Sequence, residues 1–373
     1  LLTSVEKAAN VTSGSRYQRW VELPPNGGWL ERLDAFSETA SLLQSLADTP
    51  SVSGHEREVR EKLVTALPLW AKSKAITDEA GNLMVDAGPN VDPVIFIAHL
   101  DEVGYEITNI ADDGTVSLRT RGGMFQSLWE GQPALLHFDT PGKPPLHGVF
   151  VPRGTATSKQ PESTTAWFGV NGATLKSMGV VVGQSVTADK HARRLSSKRF
   201  TARALDDRAG STALILAARK INLTTLKRRV IFAWAVREET GLEGAIVLAR
   251  RYGSSVKRAF SIDTFVSSDS PAEISRFANA PLGRGAVIRG LDNSSIASPV
   301  EVDRILNIAR LNRIPLQVGA TNGGTDGSEF VPYGVVHVSL SWPGRYSHSP
   351  VEVLDLRDLD ALSRLIHALA TNN

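Results

Sequence analysis

The chain has 373 residues, of which 42% are hydrophobic and 21% are charged, and it contains no cysteine. Its length suggests about two domains, and the lack of cysteine excludes disulfides, thiolate nucleophiles and cysteine-based metal sites. The 41 basic and 39 acidic side chains give a net charge of +2, which argues against nucleic acid as the main partner because phosphate binding needs a concentrated basic surface.

No stretch of the sequence is apolar for the roughly 18–20 residues that a membrane-spanning helix needs, so we predict no membrane partner. The chain opens with Leu1-Leu2-Thr3 and not with an initiator methionine, so we expect a segment that precedes it. Residues 1–35 are polar and rich in turn-forming residues, which predicts an N-terminal extension. Helical periodicity then predicts helices from near Phe36 and over Glu56–Leu67.

Short apolar segments alternate with helical patterns along most of the remaining chain. The predicted strands are Val94–Ala98, Val230–Val236, Ala259–Ile262, Ile314–Val318 and Val335–Leu340. The predicted helices are Gly210–Lys220, Gly244–Tyr252, Pro299–Asn312 and Leu356–Ala370. Continuous apolar strands between helices are typical of a sheet that is covered on both faces, so we predict an α/β fold.

One stretch interrupts this alternation. Residues 105–198 lack helical patterns, are rich in glycine and proline, and contain short alternating segments such as Gly114–Arg119 and Val180–Thr187. We predict a small all-β domain, inserted into an α/β domain that comprises residues 36–104 and 199–373. Within the insert, the polar residues 153–165 predict an exposed loop.

Histidines and acidic residues recur where the predicted strands end. In chain order they are His99, Asp101, Asp206, Asp207, Glu238, Glu239, Asp263 and His348. All of them follow a predicted strand except Asp206 and Asp207, which precede a predicted helix. Because the carboxyl ends of the strands in an open α/β sheet share one edge, where ligands bind, these distant residues can converge there.

Carboxylates that share a site without a counter-charge repel one another and become protonated. Two divalent metal ions would relieve this repulsion, and such ions lie about 3.5–4 Å apart in two-metal sites. Imidazole and carboxylate ligands suit zinc, cobalt or manganese. The predicted ligands are His99, Asp206, Glu239, Asp263 and His348, with Asp206 as the bridging ligand. Glu238 lies beside a ligand and is predicted as the general base.

Each of these features taken alone also has a structural interpretation. An acidic pair is favoured at a helix N-terminus, as for Glu238 and Glu239, and Asp206 can cap a helix. The shared placement of all these residues favours a metal site. The remaining histidines are predicted to be structural or exposed: His55, His137, His147, His191, His337 and His367.

Several catalytic motifs are absent. The sequence contains no HExxH, GxSxG or GxxxxGK motif and no GxGxxG after a predicted strand. These absences argue against a zincin, a serine hydrolase and a nucleotide-binding enzyme.

Six segments, in order, resemble the co-catalytic dinuclear-zinc aminopeptidases, in the branch of glutamyl and deblocking aminopeptidases that form tetrahedral particles. They are IAHLDEVG (97–104), ALDDRAG (204–210), REETGLEGA (237–245), SIDTFVSSDSP (261–271), GGTDG (323–327) and RYSHSP (345–350). The resemblance runs from about Thr49 to the C-terminus. It implies a phosphorylase/peptidase-like α/β sandwich with a mixed central sheet flanked by helices, and an inserted β-barrel domain that helps to assemble the oligomer.

The resemblance also implies roles for individual residues. It assigns His99 and Asp263 to one metal, Glu239 and His348 to the other, and Asp206 to both. Glu238 matches the family's catalytic base, and Asp101 matches the carboxylate that orients His99. The expected cofactors are two divalent ions, with zinc as the first candidate and cobalt or manganese as alternatives.

We therefore predict a metal-dependent aminopeptidase that removes N-terminal residues from short peptides. The alternative is a deacylase or another amidohydrolase that uses the same two-metal site, and a glycosidase and a non-catalytic scaffold are further alternatives. The resemblance implies a homo-oligomer, either a dimer or a tetrahedral dodecamer, and a cytoplasmic location.

The sequence departs from the family at residues 327–330, where small residues and a histidine usually follow GGTD, and this puts substrate contacts near Asp326 in question.

Overall fold

The computed structural model describes residues 36–152, 164–195, 198–267, 269 and 279–372, together with the backbone of Trp20–Val21. The predicted N-terminal extension, apart from these two residues, and most of the predicted loop 153–165 lie outside the described residues. Among the described residues, no helix is both long and apolar enough to span a membrane.

Twelve strands of the described chain form one mixed sheet. Nine of them lie side by side in the order β1-β16-β15-β17-β14-β4-β13-β3-β2, and β18, β12 and β11 continue the sheet from β17. Their bounds are β1 Trp20–Val21, β2 Ala75–Thr77, β3 Leu83–Ala87, β4 Val94–His99, β11 Arg193–Arg194, β12 Arg199–Ala202, β13 Val230–Ala235, β14 Arg258–Val266, β15 Ala286–Leu291, β16 Leu316–Ala320, β17 Val336–Arg345 and β18 Glu352–Asp355. The predicted mixed central sheet is therefore confirmed.

Helices cover both faces of this sheet. Alternate residues of β4 point to opposite sides, so Phe96 joins a large apolar core on one face while Ile95 and Ile97 join a second core on the other. The helices are α1 Ser37–Ala47, α2 Arg57–Ala66, α3 Leu69–Lys72, α4 Gly172–Ser177, α5 Leu205–Lys220, α6 Glu243–Tyr252, α7 Pro299–Leu311 and α8 Leu356–Thr371. Helices α1, α2, α5, α7 and α8 contribute to the first core and α6 to the second.

Between β4 and β11, six antiparallel strands of the described chain close into a barrel in the order β10-β5-β6-β9-β8-β7. They are β5 Gly104–Ile110, β6 Thr115–Arg121, β7 Pro133–Leu136, β8 Leu146–Phe150, β9 Thr165–Trp167 and β10 Ser185–Ala188. A separate apolar core fills the barrel, with the rings of Tyr105, Trp129 and Phe150 packed at its centre. The predicted all-β barrel is confirmed.

Two local predictions differ from the structure. The insert was expected to contain no helix, but α4 lies within it because Asn171 accepts a hydrogen bond from the Thr174 amide (2.9 Å) and Leu175 packs into the barrel core. The five predicted strands of the sheet also proved too few: β15, which lies between β16 and β17, was not predicted, and neither were the shorter strands β1, β2, β3, β11, β12 and β18.

Candidate metal centre

Three neighbouring strands end at one edge of the sheet. Strand β4 is parallel to β13 on one side and to β14 on the other, and His99 at the end of β4 lies opposite Ala235 at the end of β13. Glu238 and Glu239 follow the end of β13 after two residues. The carboxyl ends of these strands bring residues that are distant in sequence to one place, as predicted.

Asp263 lies inside a strand and not after one, which corrects the sequence prediction. Strand β14 stops pairing with β4 at Ser261 but continues its pairing with β17 as far as Val266. Asp263 therefore lies beyond the end of β4, on the part of β14 that borders the site.

Asp206 and His348 reach the same place from irregular backbone. Asp206 lies at the start of α5, where its φ of −81° and ψ of 104° are not helical. His348 follows β17 and has a left-handed backbone with a φ of 61°. A left-handed conformation is uncommon for a residue with a side chain and recurs at functional sites.

Asp206 lies between the two histidines. His99 Nε2 is 3.2 Å from Asp206 Oδ1, and His348 Nε2 is 3.5 Å from Asp206 Oδ2. His348 Nε2 is also 3.3 Å from Glu239 Oε1. Three groups of side chains have potential ligand atoms within 4.8 Å of one another: His99–Asp206–Asp263, Asp206–Glu239–His348 and His99–Glu238–Glu239. The structure thus brings together the five predicted ligands and the predicted base.

Asp101 lies behind this cluster and is fully buried. Its carboxylate accepts hydrogen bonds from the amides of Glu238 (3.0 Å) and Glu239 (3.1 Å) and from the Ser53 hydroxyl (2.6 Å). Its Oδ1 is 3.5 Å from His99 Nδ1. Burial alone would raise the pKa of Asp101, but the interactions with His99, Ser53 and the Glu238 amide outweigh it, so the pKa is lowered. Asp101 therefore contacts both the His99 ring and the backbone that carries Glu238 and Glu239.

The carboxylates that line the site differ in their pKa. Burial would raise the pKa of Asp206, but hydrogen bonds to His348 and His99 hold it well below its usual value, whereas the pKa values of Asp263, Glu238 and Asp326 are raised. Burial raises the pKa of Asp263 to about 7, although Arg289 opposes this rise, and Asp206 adds to it by repulsion. Loss of hydration also raises the pKa of Glu238 well above its usual value, and the charges of Asp263 and Glu239 add to this rise, while His99 opposes it. Burial raises the pKa of Asp326 to about 8. Such shifts are expected where carboxylates crowd together without cations.

The donor set and its geometry fit a pair of divalent ions. Glu239 Oε1 is buried and accepts no hydrogen bond from the described residues, although it faces the cluster. Two imidazoles and three carboxylates are nitrogen and oxygen ligands that suit zinc, manganese and cobalt. The repulsion among the carboxylates is what such cations would relieve.

A cleft of about 500 Å³ lies over the cluster. The cluster forms its floor, and Gly123 and Phe125 from the barrel insert form part of its wall, together with residues 322–324. Because Phe125 is 67% exposed, an apolar ring is available to a molecule in the cleft. The cleft therefore combines a polar floor with a partly apolar wall.

Three polar residues at the site were missed by sequence reasoning. Ser53 donates to Asp101, and Arg289 Nη2 lies 3.3 Å from Asp263 Oδ1. Glu352 accepts hydrogen bonds from the amides of His348 (2.8 Å) and Asp206 (3.0 Å). None of the three gave a sequence signal that distinguished it: β18, which begins at Glu352, has four residues and ends on a second acid, Asp355.

The departure at residues 327–330 has a packing explanation. Residues Asp326–Tyr333 form a 3₁₀ helix, and Phe330 is fully buried in the second core. A Cβ on Gly327 would collide with the ring of His337, which bonds to Ser261 (2.8 Å). Burial lowers the pKa of His337 to about 4, so this residue is a neutral structural histidine, as predicted.

Comparison with known proteins agrees with this geometry. Residues 81–365 match the family described as M42 glutamyl aminopeptidase. The chain belongs to this family. Because this match includes both the sheet edge and the barrel, membership supports a peptide hydrolase of the aminopeptidase type, as the six sequence segments predicted.

Individual relatives extend over most of the chain. A putative aminopeptidase of Escherichia coli, SgcX, is 29% identical in an alignment of 351 positions that covers 88% of this chain and 92% of that protein. The lysyl aminopeptidase of Pyrococcus furiosus is 28% identical, with coverage of 88% and 95%. The TET1 peptidase of Pyrococcus horikoshii, whose structure is described as a tetrahedron or a large octahedral shell, is 33% identical, with a TM-score of 0.81 over 90% of this chain and 100% of that chain.

Proposed function

We propose that this M42 family member is a dinuclear metal-dependent aminopeptidase that removes residues from the N-termini of short peptides. The observation that carries the proposal is the position of Asp206, whose two oxygens face two different histidines at 3.2 and 3.5 Å. A carboxylate in this position is suited to bridge two cations. The cleft over the cluster leaves room for the end of a peptide above Asp206.

Five residues would hold the cations. His99 and Asp263 would hold one, Glu239 and His348 the other, and Asp206 both, in agreement with the two groups of ligand atoms that share Asp206. Zinc is the first candidate. When bound, the pair would lower the pKa of a water molecule and polarise the scissile carbonyl group.

Glu238 is the proposed general base. It lies beside the cluster in a group with His99 and Glu239, and its pKa is raised because it is withdrawn from water. A carboxylate that is readily protonated can take a proton from the attacking water and give it to the leaving amine. The amides of Glu238 and Glu239 each donate a hydrogen bond to Asp101, and these two hydrogen bonds hold the backbone in place for this transfer.

The division of the chain fits this function. We propose that residues 36–104 and 199–373 form the catalytic domain and that residues 105–198 form an insert that controls access and contributes to assembly. The insert contributes Gly123 and Phe125 to the cleft wall, which supports a role in access. We also propose that the chain forms a homo-oligomer, a dimer or a tetrahedral dodecamer, by analogy with the TET1 peptidase.

The experiment that tests the mechanism measures bound metal and peptide turnover in the same samples of the wild type and of Glu238→Gln. We expect two ions per chain in both proteins, because Glu238 is not among the proposed ligands. We expect kcat to fall by about 10²–10⁴-fold in Glu238→Gln, since the amide cannot take a proton. Undiminished turnover in this variant would reject the role of Glu238 as general base. Full activity of the wild type without metal would reject the proposed metal centre.

A further inference from the structure

Glu352 joins two segments of the site that lie far apart in the sequence. It is the first residue of β18, and only 2% of it is exposed. Its Oε1 accepts a hydrogen bond from the His348 amide at 2.8 Å, and its Oε2 accepts one from the Asp206 amide at 3.0 Å. Each carboxylate oxygen is thus bonded to the backbone of one residue of the candidate metal centre.

Neither of these amides belongs to a regular helix or strand. Asp206 has non-helical angles at the start of α5, and His348 has a left-handed backbone after β17. A buried amide needs a partner. Glu352 supplies one for the buried Asp206 amide and also accepts from the partly buried His348 amide. The orientations of the Asp206 and His348 side chains therefore depend on the same buried carboxylate.

An acid suits this position because both of its oxygens accept hydrogen bonds from backbone amides. One side chain thereby joins the start of α5 to the segment that follows β17. The two hydrogen bonds fix these two segments relative to each other.

We propose that Glu352 is a positioning residue that orients Asp206 and His348 for metal binding, as Asp101 orients the segment with Glu238 and Glu239. This inference rests on the proposed two-metal function. The inference also predicts which cation is affected more. The cation held by His348, Glu239 and Asp206 depends on Glu352 through two of its ligands. The cation held by His99, Asp263 and Asp206 depends on it through one.

The test compares metal affinity in Glu352→Gln and in a matched control. Glutamine keeps the size of the side chain but offers one acceptor oxygen, and its NH₂ group faces an amide that also donates. Asp358→Asn is the control, because Asp358 is also fully buried and also accepts two backbone amides, those of Gly283 (2.6 Å) and Gly285 (2.7 Å). Asp358 has no contact with the candidate metal centre among its hydrogen bonds.

Zinc affinity is measured by competition with a chromophoric chelator, alongside the thermal unfolding midpoint of each metal-free protein. We expect Glu352→Gln to bind one of the two ions about 10–100-fold more weakly, with a smaller change for the other ion. We expect Asp358→Asn to bind both ions as the wild type does. Unchanged affinities in Glu352→Gln, or equal losses in both variants, would overturn the proposal.

A second measurement covers the case in which Glu352→Gln does not fold. Amide hydrogen exchange of the metal-stripped wild type should show slow exchange at Asp206 and His348, because Glu352 holds both amides without metal. Rapid exchange at these amides would overturn the proposal. The two claims can fail separately. A wild type that binds no metal would reject the proposed two-metal function. Slow exchange at the two amides in the same protein would still show that the hydrogen bonds to Glu352 form.

Discussion

Backbone amides bonded to buried acids determine the arrangement of the site at the scale of single residues. Asp101 holds the amides of Glu238 and Glu239, while Glu352 holds those of Asp206 and His348. Because a carboxylate accepts several hydrogen bonds, one acid can fix two adjacent or distant amides. The side chains that face the cleft are therefore supported from behind by other acids that do not face it.

Asp101 and Glu238 have pKa values that are shifted in opposite directions. The pKa of Asp101 is lowered because hydrogen bonds outweigh burial, whereas burial dominates at Glu238 and raises its pKa. A raised pKa suits a group that takes up and releases a proton, as is proposed for Glu238, whereas Asp101 exchanges no proton in the proposed mechanism. These directions agree with the different roles proposed for Glu238 and Asp101.

The sequence indicated the candidate ligands and the candidate base but not the residues that support them. His99, Glu239 and His348 could be proposed because histidines and acids that follow apolar strands are a strong signal of chemistry, and Asp206 because it precedes a predicted helix. Glu352 was not, because its contact with the Asp206 amide joins residues that are 146 positions apart. Ser53 and Arg289 are similar, since their contacts arise from tertiary packing and no local pattern encodes them.

At the scale of elements, periodicity located most of the longer helices and five of the twelve strands of the main sheet within a few residues. Strand β4 and helices α6, α7 and α8 agree closely with their predicted bounds. Strand β14 proved longer than its apolar run because pairing with β17 carries it past polar residues, including Asp263. The short helix α4 was missed because its six residues are too few for an apolar period to appear.

Helix α6 follows the loop that carries Glu238 and Glu239, and its packing depends on Gly244. A Cβ there would lie 2.5 Å from the main-chain N and O of Val236 and closer still to Asn82 Oδ1. We predict that Gly244→Ala destabilises the protein by about 1–3 kcal/mol, because overpacking outweighs the better helix propensity of alanine.

Urea unfolding of Gly244→Ala measures this change, with Gly123→Ala as the control. Gly123 is exposed, and a Cβ there would meet no atom within 4 Å. We expect the control to unfold at the urea concentration of the wild type. A Gly244→Ala variant as stable as the control would mean that the approach of α6 to β13 is not tight.

At the scale of the whole molecule, the sheet with its helices and the barrel serve different purposes. The sheet with its helices carries the candidate ligands, while the barrel has its own apolar core and contributes part of the cleft wall. Composition predicted this division through the run of glycine, proline and short alternating segments. The position of the barrel above the sheet edge could not be predicted, because it depends on contacts such as the one between Gly122 and Glu239.

The proposed self-association is a property of the whole molecule and can be measured directly. One chain has a mass of 40.2 kDa. We expect sedimentation equilibrium to give a multiple of this mass, consistent with a dimer or a dodecamer. A concentration-independent mass equal to one chain would contradict the proposed assembly while leaving the metal centre untouched.

The central claim is that this chain is a metal-dependent aminopeptidase, and a matched pair of peptides tests it most directly. The peptides share one sequence, and one of them is N-acetylated; both are incubated with the metal-loaded protein and with protein stripped by a chelator. We predict release of the first residue from the free-amine peptide by the loaded protein alone. Preferential cleavage of the acetylated peptide, or equal cleavage by the stripped protein, would contradict the claim.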